Sequence, residues 1–463
     1  MNRALLLSLI FLTACAAPVP RYERPAVELP QAWKETAPAL RDAAAEGKWW
    51  RIYQDPQLDA LVEESLAKNP DLVIAAARVD EARALIREVE AAFLPTLDGR
   101  FGASRQQTST RTATSFPGVP TTFNSHRATV NLSYELDLFG RIRSSAEAAR
   151  AELAANEAAR ETVRLALAAE VAKSYFALRA LDEQVVVFRQ ALELREQLLG
   201  LQRKRYEGGV LSEYEFKQQE AEAAATRAQL PPLERQRESE EAALALLLGR
   251  TPKQIFEERV PRREAGEDPP SPVAVPSGLP SELLLRRGDL VEAERRLAAA
   301  NARIAAARAE MFPSIALTAA LGSESASLGN LFASGAGVWA LGFALTQPLF
   351  AGGRLEARTQ TAQARERAAL AQYQKAIQNA FTEVRTAISV QLRARESFEA
   401  ETARAEALER SLRLVRLRYD NGIASQLEVL DAERGLLAAR SARIEALRAQ
   451  RAAVADLFRA LGG

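Results

Sequence analysis

Ten residues, Thr129 to Leu138, alternate polar and apolar without a break, then run directly into a stretch with an entirely different period. Val130, Leu132, Tyr134, Leu136 and Leu138 fall on one face, and Thr129, Asn131, Ser133, Glu135 and Asp137 on the other, the signature of a strand. After Phe139-Gly140-Arg141, the chain from Ile142 to Tyr206 holds no proline and one glycine, Gly200, among dense Ala, Leu, Glu, Arg and Gln. These are the best helix formers. About 65 residues at 1.5 Å each predict a helix of roughly 100 Å, far longer than one globular domain is wide. A strand feeding such a helix implies part of a tube.

The N-terminus is that of an exported chain. Arg3 supplies a positive n-region, and Ala4 to Leu12 form an apolar stretch too short to span a bilayer. Leu12-Thr13-Ala14-Cys15 resembles a lipobox, the bacterial signal whose cysteine becomes the lipidated mature N-terminus. Cys15 is the only cysteine in the sequence. Ala16 follows it, and in lipoproteins of this kind a residue other than Asp there directs the protein to the outer membrane. No later run of 18 apolar residues predicts a membrane-spanning helix. The 61 Lys and Arg balance 60 Asp and Glu, so nothing in the charge favours nucleic acid.

Residues 16 to 46 are proline-dotted and aperiodic, an extended tether. Trp33, Trp49 and Trp50 read as packing that tether onto the body. Asp55-Pro56 is a helix N-cap with proline in the first turn, Asn69-Pro70-Asp71 restarts the helix, and Pro95 stops it beyond Phe93. Leu97 to Ser104 alternates weakly, and a polar loop from about Gln106 to Ser125, with the single histidine, His126, read as a loop residue beside it, leads to the opening strand.

The pattern then repeats. Asp71-Leu-Val matches Asp289-Leu-Val and Phe93-Leu-Pro95 matches Met311-Phe-Pro313, each 218 residues on. Leu138-Phe-Gly-Arg141 matches Leu349-Phe-Ala-Gly-Gly-Arg354. Arg205-Tyr-Glu-Gly-Gly-Val210 matches Arg418-Tyr-Asp-Asn-Gly-Ile423, and Leu248-Gly249 matches Leu461-Gly462, at an offset of 213. Each half reads helix, proline, two strands, glycine-marked junction, very long helix, turn, returning helix. The expected divisions are a signal over residues 1–15, a tether and belt segment over 16–54, a first repeat over 55–250, a linker over 251–280 and a second repeat over 281–463. Pro231-Pro232 is expected to break the first returning helix.

In the second half Ser314 to Gly322 and Val338 to Thr346 each present one apolar face. All four strands have a length that crosses an outer membrane with apolar residues outward. A four-stranded sheet cannot lie open in a bilayer, because its edge amides would go unpaired. It must close with other copies: two give eight strands, a barrel filled by side chains, and three give twelve, wide enough for a passage.

These segments together resemble the TolC-type outer-membrane factors, in the lipoprotein branch that partners resistance-nodulation-division (RND) efflux pumps. The residues carrying the resemblance are Trp49-Trp50, Asp55-Pro-Gln-Leu58, Asn69-Pro-Asp-Leu72, Tyr134-Glu-Leu-Asp-Leu-Phe-Gly-Arg141, Phe312-Pro-Ser314, Thr346-Gln-Pro-Leu-Phe350, Gly352-Gly-Arg354 and Leu430-Asp-Ala-Glu-Arg434. They span essentially the whole chain. The resemblance implies a mostly helical fold with a membrane β-barrel: a homotrimer with a 12-stranded barrel in outer-membrane lipid, a periplasmic α-helical tube and a mixed belt around the tube's middle. It also implies a passive duct joined to an inner-membrane RND pump by a periplasmic adaptor (membrane fusion) protein, with neither cofactor nor metal. The alternative within the same family is a duct for type I secretion, served by an ATP-driven ABC exporter.

Catalytic chemistry has little to work with. Metal and nucleophile sites need His or Cys at workable spacing, and only His126 and Cys15 exist. Gly335-Ala-Gly337 echoes a phosphate loop, but a strand follows instead of a helix. The informative residues lie at two helix–turn–helix tips, Tyr206 to Ser212 and Tyr419 to Ser425. Gly208, Gly209, Asn421 and Gly422 suit the left-handed conformation that ends a helix. Ser212 with Glu215, and Ser425 with Glu428, form capping boxes that open the return helices. By the resemblance these tips face the adaptor, and Tyr419, Leu427, Asp431 and Arg434 match the ring that closes the periplasmic mouth. An Arg that some family members carry beside the second turn is Ala424 here. Without the resemblance, Asp431 and Arg434 read as an i,i+3 surface pair worth a few tenths of a kcal/mol.

Overall fold

The computed structural model describes residues 24, 47–109, 111, 120–264, 266 and 286–462. Cys15, Ala16, Trp33 and nearly all of the tether lie outside the described residues, as does most of the segment after 264. The chain forms two compact units, and each draws on both halves of the repeat: one holds 78–157 with 292–374, the other 47–77, 158–291 and 375–463.

The first unit contains one antiparallel sheet in the order β1-β2-β3-β4, built from β1 (Thr96–Gln107), β2 (Thr122–Leu136), β3 (Ser314–Ser325) and β4 (Gly337–Thr346). The strands outrun the alternating stretches at their polar ends, so β2 begins seven residues before Thr129 and takes His126 out of the loop where the sequence put it. His126 sits opposite Ala103 and Ser325. The register places Leu97 opposite Leu132, Leu132 opposite Ala319 and Ala319 opposite Leu341. Because paired residues share a face, Leu97, Phe101, Val130, Leu317, Leu321, Trp339 and Phe343 form one apolar surface, and all of them are exposed. Asp98, Arg100, Thr129, Asn131 and Glu135 occupy the other face, as the alternation requires. At Gly322 the strands approach so closely that a Cβ would lie 2.0 Å from the Ala128 carbonyl oxygen.

The helices are α1 (Pro56–Lys68), α2 (Pro70–Ala91), α3 (Arg141–Glu207), α4 (Glu213–Leu247), α5 (Pro252–Glu257), α6 (Gly288–Ala309), α7 (Arg354–Asp420) and α8 (Gln426–Leu461). Both α3 and α7 are 67 residues long. The Asp55 carboxylate accepts from Gln57 N at 3.0 Å and opens α1 as read from Asp55-Pro56. Pro231 and Pro232 do not break α4, contrary to expectation. They fall between Thr226 and Leu244, where the helix buries no residue, so the carbonyls they leave unpaired face water. Inside the segment read as aperiodic linker, a Thr251–Gln254 capping box nucleates the short α5. No described helix is long and apolar enough to cross a membrane.

The second unit holds the main core, where Trp49, Trp50 and Tyr53 pack against Tyr175, Phe176 and Phe458. Trp49 stacks on Phe458 at 5.2 Å between centroids, and Tyr53 donates to Arg451 O at 2.6 Å. Trp49 and Trp50 are thus packing residues, as expected from the sequence. The fully buried Asp55 accepts from the Tyr175 hydroxyl at 2.7 Å. Burial first, and the adjoining carboxylate second, push that phenol up to about 12.

The two halves close the second unit with equivalent clasps. Asn69 donates to Leu247 O at the end of α4 at 2.8 Å. Arg287, at the matching place in the second half, donates to Ala460 O at the end of α8 at 2.6 Å. Each satisfies a carbonyl that a helix C-terminus leaves open.

Candidate functional site: a tip linkage and an unpaired sheet

Both tips are built by local sequence. At the end of α3, Val210 N donates to Arg205 O and Gly209 N to Tyr206 O, each at 2.9 Å. At the end of α7, Ile423 N donates to Arg418 O at 2.8 Å and Gly422 N to Tyr419 O at 2.9 Å. This 6→1 and 5→2 pairing needs a left-handed residue at the turn, and Gly209 (φ +75°) and Gly422 (φ +74°) supply it. Gly208 and Asn421, grouped with them from the sequence, stay outside the left-handed region. The motif requires only one such residue.

The return helices open on the two expected capping boxes, Ser212 with Glu215 and Ser425 with Glu428. The Ser212 hydroxyl holds the Glu215 carboxyl below its usual range. The Ser425 backbone amide does the same for Glu428. Tyr206 stacks on Phe216 at 5.2 Å, which stiffens the first tip.

Of the four gate candidates, two form a cluster. Asp431 and Arg434 pair at 3.2 Å on α8. Arg434 also reaches across to the Glu222 carboxylate on α4. Glu222 in turn pairs at 3.4 Å with Arg195 of α3, which is buried. The hydrogen bond from Arg434 is the first cause that holds Glu222 below its usual range. Three helices are therefore joined by the series Arg195–Glu222–Arg434–Asp431. The sequence reading paired Asp431 with Arg434 and missed Glu222 and Arg195, whose partners lie 212 and 27 residues away. A charged residue at 222 where the second half has Gly435 was the available signal. Tyr419 is half-buried at the end of α7 and Leu427 is exposed in the first turn of α8. Neither belongs to this charge series.

At the strand–helix junction, the Glu135 carboxylate is held by Arg141 at 2.9 and 2.7 Å. The Asp137 carboxylate accepts from Ile142 N and Arg143 N at 3.1 and 2.8 Å, capping α3. These two charges, placed on the strand's polar face by the alternation, also anchor the helix to the sheet. Among the described residues no further strand lies beside β1 or β4, the sheet's two edges, and the sheet's exposed apolar face matches the lipid-facing side of a barrel wall.

A sheet with an exposed apolar face, open edges and two long helical hairpins defines a class: channels that close a barrel in the outer membrane. The chain belongs to the family described as outer membrane efflux protein, whose model matches residues 61–250 and 279–463. It is 32% identical over 465 residues to the probable outer membrane lipoprotein SilC of Salmonella typhimurium, covering 100% of this chain and 98% of that one. It is 34% identical over 454 residues to the toluene efflux pump outer membrane protein TtgC of Pseudomonas putida, covering 96% and 92%. The Campylobacter jejuni CmeC outer membrane channel superposes with a TM-score of 0.88 at 25% identity, covering 96% of this chain and 94% of that one. The protein resides in the outer membrane and has the fold of these channels.

Proposed function

We propose that this protein is the outer-membrane duct of a tripartite RND efflux system. Three copies close a 12-stranded barrel, a periplasmic adaptor binds the helical tips, and the inner-membrane pump supplies the energy. The observation that carries the reading is the exposed apolar face on a sheet whose two edge strands have no neighbouring strand among the described residues, in a chain from the efflux family. Cys15 carries the lipid anchor and is the mature N-terminus. The exported compounds are small and toxic to the cell; named relatives serve toluene and cation efflux systems, and a wide polar lumen accommodates either.

The gate follows from the charge series. Arg434 ties the second hairpin to Glu222 on the first, and Asp431 holds Arg434 in place. Tyr419 and Leu427 add bulk at the same end of the hairpin. Half-exposed pairs of this kind contribute about 0.5 kcal/mol each, and three-fold symmetry repeats each one. Such a lock is weak enough for a docking adaptor to open.

Cross-linked pull-down from membranes is expected to recover a periplasmic adaptor and an RND pump. Recovery of an ATP-driven exporter in their place would assign the duct to type I secretion. Metabolic labelling with palmitate that fails to mark the protein, or a mature N-terminus other than Cys15, would remove the anchor from the account.

A further inference from the structure

The apolar face of the sheet changes character along its length, and one residue marks the change. Next to the helices the face opens on Leu136, Ile315 and Leu345, and it is still bulky at Val130, Leu321 and Trp339. Further from the helices it carries His126 beside Ser325, and finally Arg105 beside Asn124. Across the four strands Arg105 is the only charged residue on this face. Asp98, Arg100, Arg127, Glu135 and Glu324 all lie on the other. The polar face pairs its cation at this end: Arg127 meets Glu324 at 3.7 Å, and Ser125 donates to the same carboxylate at 2.8 Å. Arg105 is exposed and has no ion pair among the described residues. His126 Nδ1 is shielded and without a hydrogen-bond partner there.

Height on the barrel decides what Arg105 can meet. Leu136 and Asn124, the partner of Arg105, lie twelve residues apart on β2. That is about 40 Å along the strand, or about 30 Å along the membrane normal at a tilt of about 40°. The apolar band of an outer-membrane barrel is about 25 Å tall. Arg105 therefore stands about 5 Å beyond the band, level with lipid headgroups, where a lipid-side arginine no longer carries the cost it has at mid-depth.

We propose that Arg105, with His126 beside it, binds a phosphate of the phosphorylated glycolipid that forms the outer leaflet, on the outside of the barrel. The inference rests on the outer-membrane duct reading, which sets the helices in the periplasm and the β1–β2 connection outside. Charge complementarity selects the occupant: a guanidinium fork matches two phosphate oxygens, and basic residues at headgroup level recognise anionic lipids. His126 and Arg105 are diagonal neighbours on adjacent strands, within reach of long side chains. Asn124 and Ser325 add neutral groups for sugar hydroxyls, while the acyl chains lie along Val130, Leu321 and Trp339. Lipids of the periplasmic leaflet have their headgroups at the Leu136 end of the sheet, far from Arg105.

Titration of the delipidated full-length trimer with bisphosphorylated lipid A, followed by native mass spectrometry, tests the site. Wild type should bind it about tenfold more tightly than lipid A stripped of its phosphates. Arg105→Ala should lose that preference, and Arg105→Lys should keep part of it. Arg127→Ala, at the same end of the sheet but on the polar face, should bind as wild type does. Equal affinity of wild type and Arg105→Ala for bisphosphorylated lipid A would overturn the site, as would an equal loss from Arg127→Ala. Phosphatidylglycerol competing as well as bisphosphorylated lipid A would overturn the choice of lipid. Trimer yield and single-channel conductance of Arg105→Ala should match wild type, which separates lost binding from lost folding. Conducting wild-type trimers with no phosphate preference would overturn the lipid site alone. A wild-type chain that forms neither trimer nor channel would overturn the duct reading, and the lipid site with it.

Discussion

At the clasps the two halves of the chain use matched positions for the same task, Asn69 on Leu247 O and Arg287 on Ala460 O. At the tips they keep the same glycine turn and the same capping box but differ in charge. The first hairpin carries Arg195 and Glu222 where the second has Leu408 and Gly435. In the second hairpin Gly435 faces Leu408: a Cβ at residue 435 would lie 3.6 Å from a leucine methyl. Arg434, beside that glycine, crosses to Glu222 instead. The backbone scheme has been held while the side chains diverged, and the divergence makes the two hairpins complementary: one presents a carboxylate, the other a guanidinium.

The largest expected effect comes from Glu222. Its removal leaves Arg195 buried without its carboxylate, so Glu222→Ala should cost about 3–5 kcal/mol in thermal or denaturant unfolding. The matching change in the second half, Gly435→Ala, meets only ordinary contact and should stabilise α8 by about 0.5 kcal/mol. Similar losses at the two sites would erase the distinction between the hairpins.

The sheet gives the next effect. Leu132→Arg in the first half and Phe343→Arg in the second should each cost about 2–4 kcal/mol at mid-membrane depth, read as loss of assembled trimer. Asn131→Arg, on the polar face, should assemble far better. Should Asn131→Arg fail as badly as the other two, the polar face does not line a lumen.

The clasps should differ less. Arg287 also pairs with Asp289 at 2.8 Å and Glu383 at 2.7 Å, and hydrogen bonds to charged groups contribute about 1.5–3 kcal/mol against about 1 for a neutral one. Arg287→Ala should therefore destabilise more than Asn69→Ala by about 1 kcal/mol in denaturant unfolding.

The smallest effect is at the caps. Glu215 and Glu428 are both held below the usual carboxylate range by their capping bonds, so the stability they lend is present above about pH 4.5 and lost as pH falls through their lowered values. Hydrogen-exchange protection at both tips, measured against the intrinsic rate at each pH, should fall together below about pH 4, and Ser212→Ala should remove that dependence from the first tip alone.

Much of this was legible in the chain. The two-residue period fixed which side of each strand is apolar, and Ser-x-x-Glu after a glycine located both tips, because these signals are local. Strand ends were not, since the polar start of β2 carries no alternation. Nor was the continuity of α4 through Pro231-Pro232, which depends on those residues facing water. Arg195–Glu222–Arg434 escaped for another reason: its members are set by the packing of three helices, and each alone looks like one more solvated charge.

Single-channel conductance in planar bilayers tests the central claim most directly. Wild-type trimers should insert and pass a small resting current. Asp431→Ala with Arg434→Ala should raise it with trimer yield intact, while substitutions at Gln218 and Ala221, the matching positions of the first hairpin, should leave it unchanged. An unchanged current from well-formed Asp431→Ala, Arg434→Ala trimers would return those residues to an ordinary surface pair, and trimers that pass no current under any condition would contradict the duct itself.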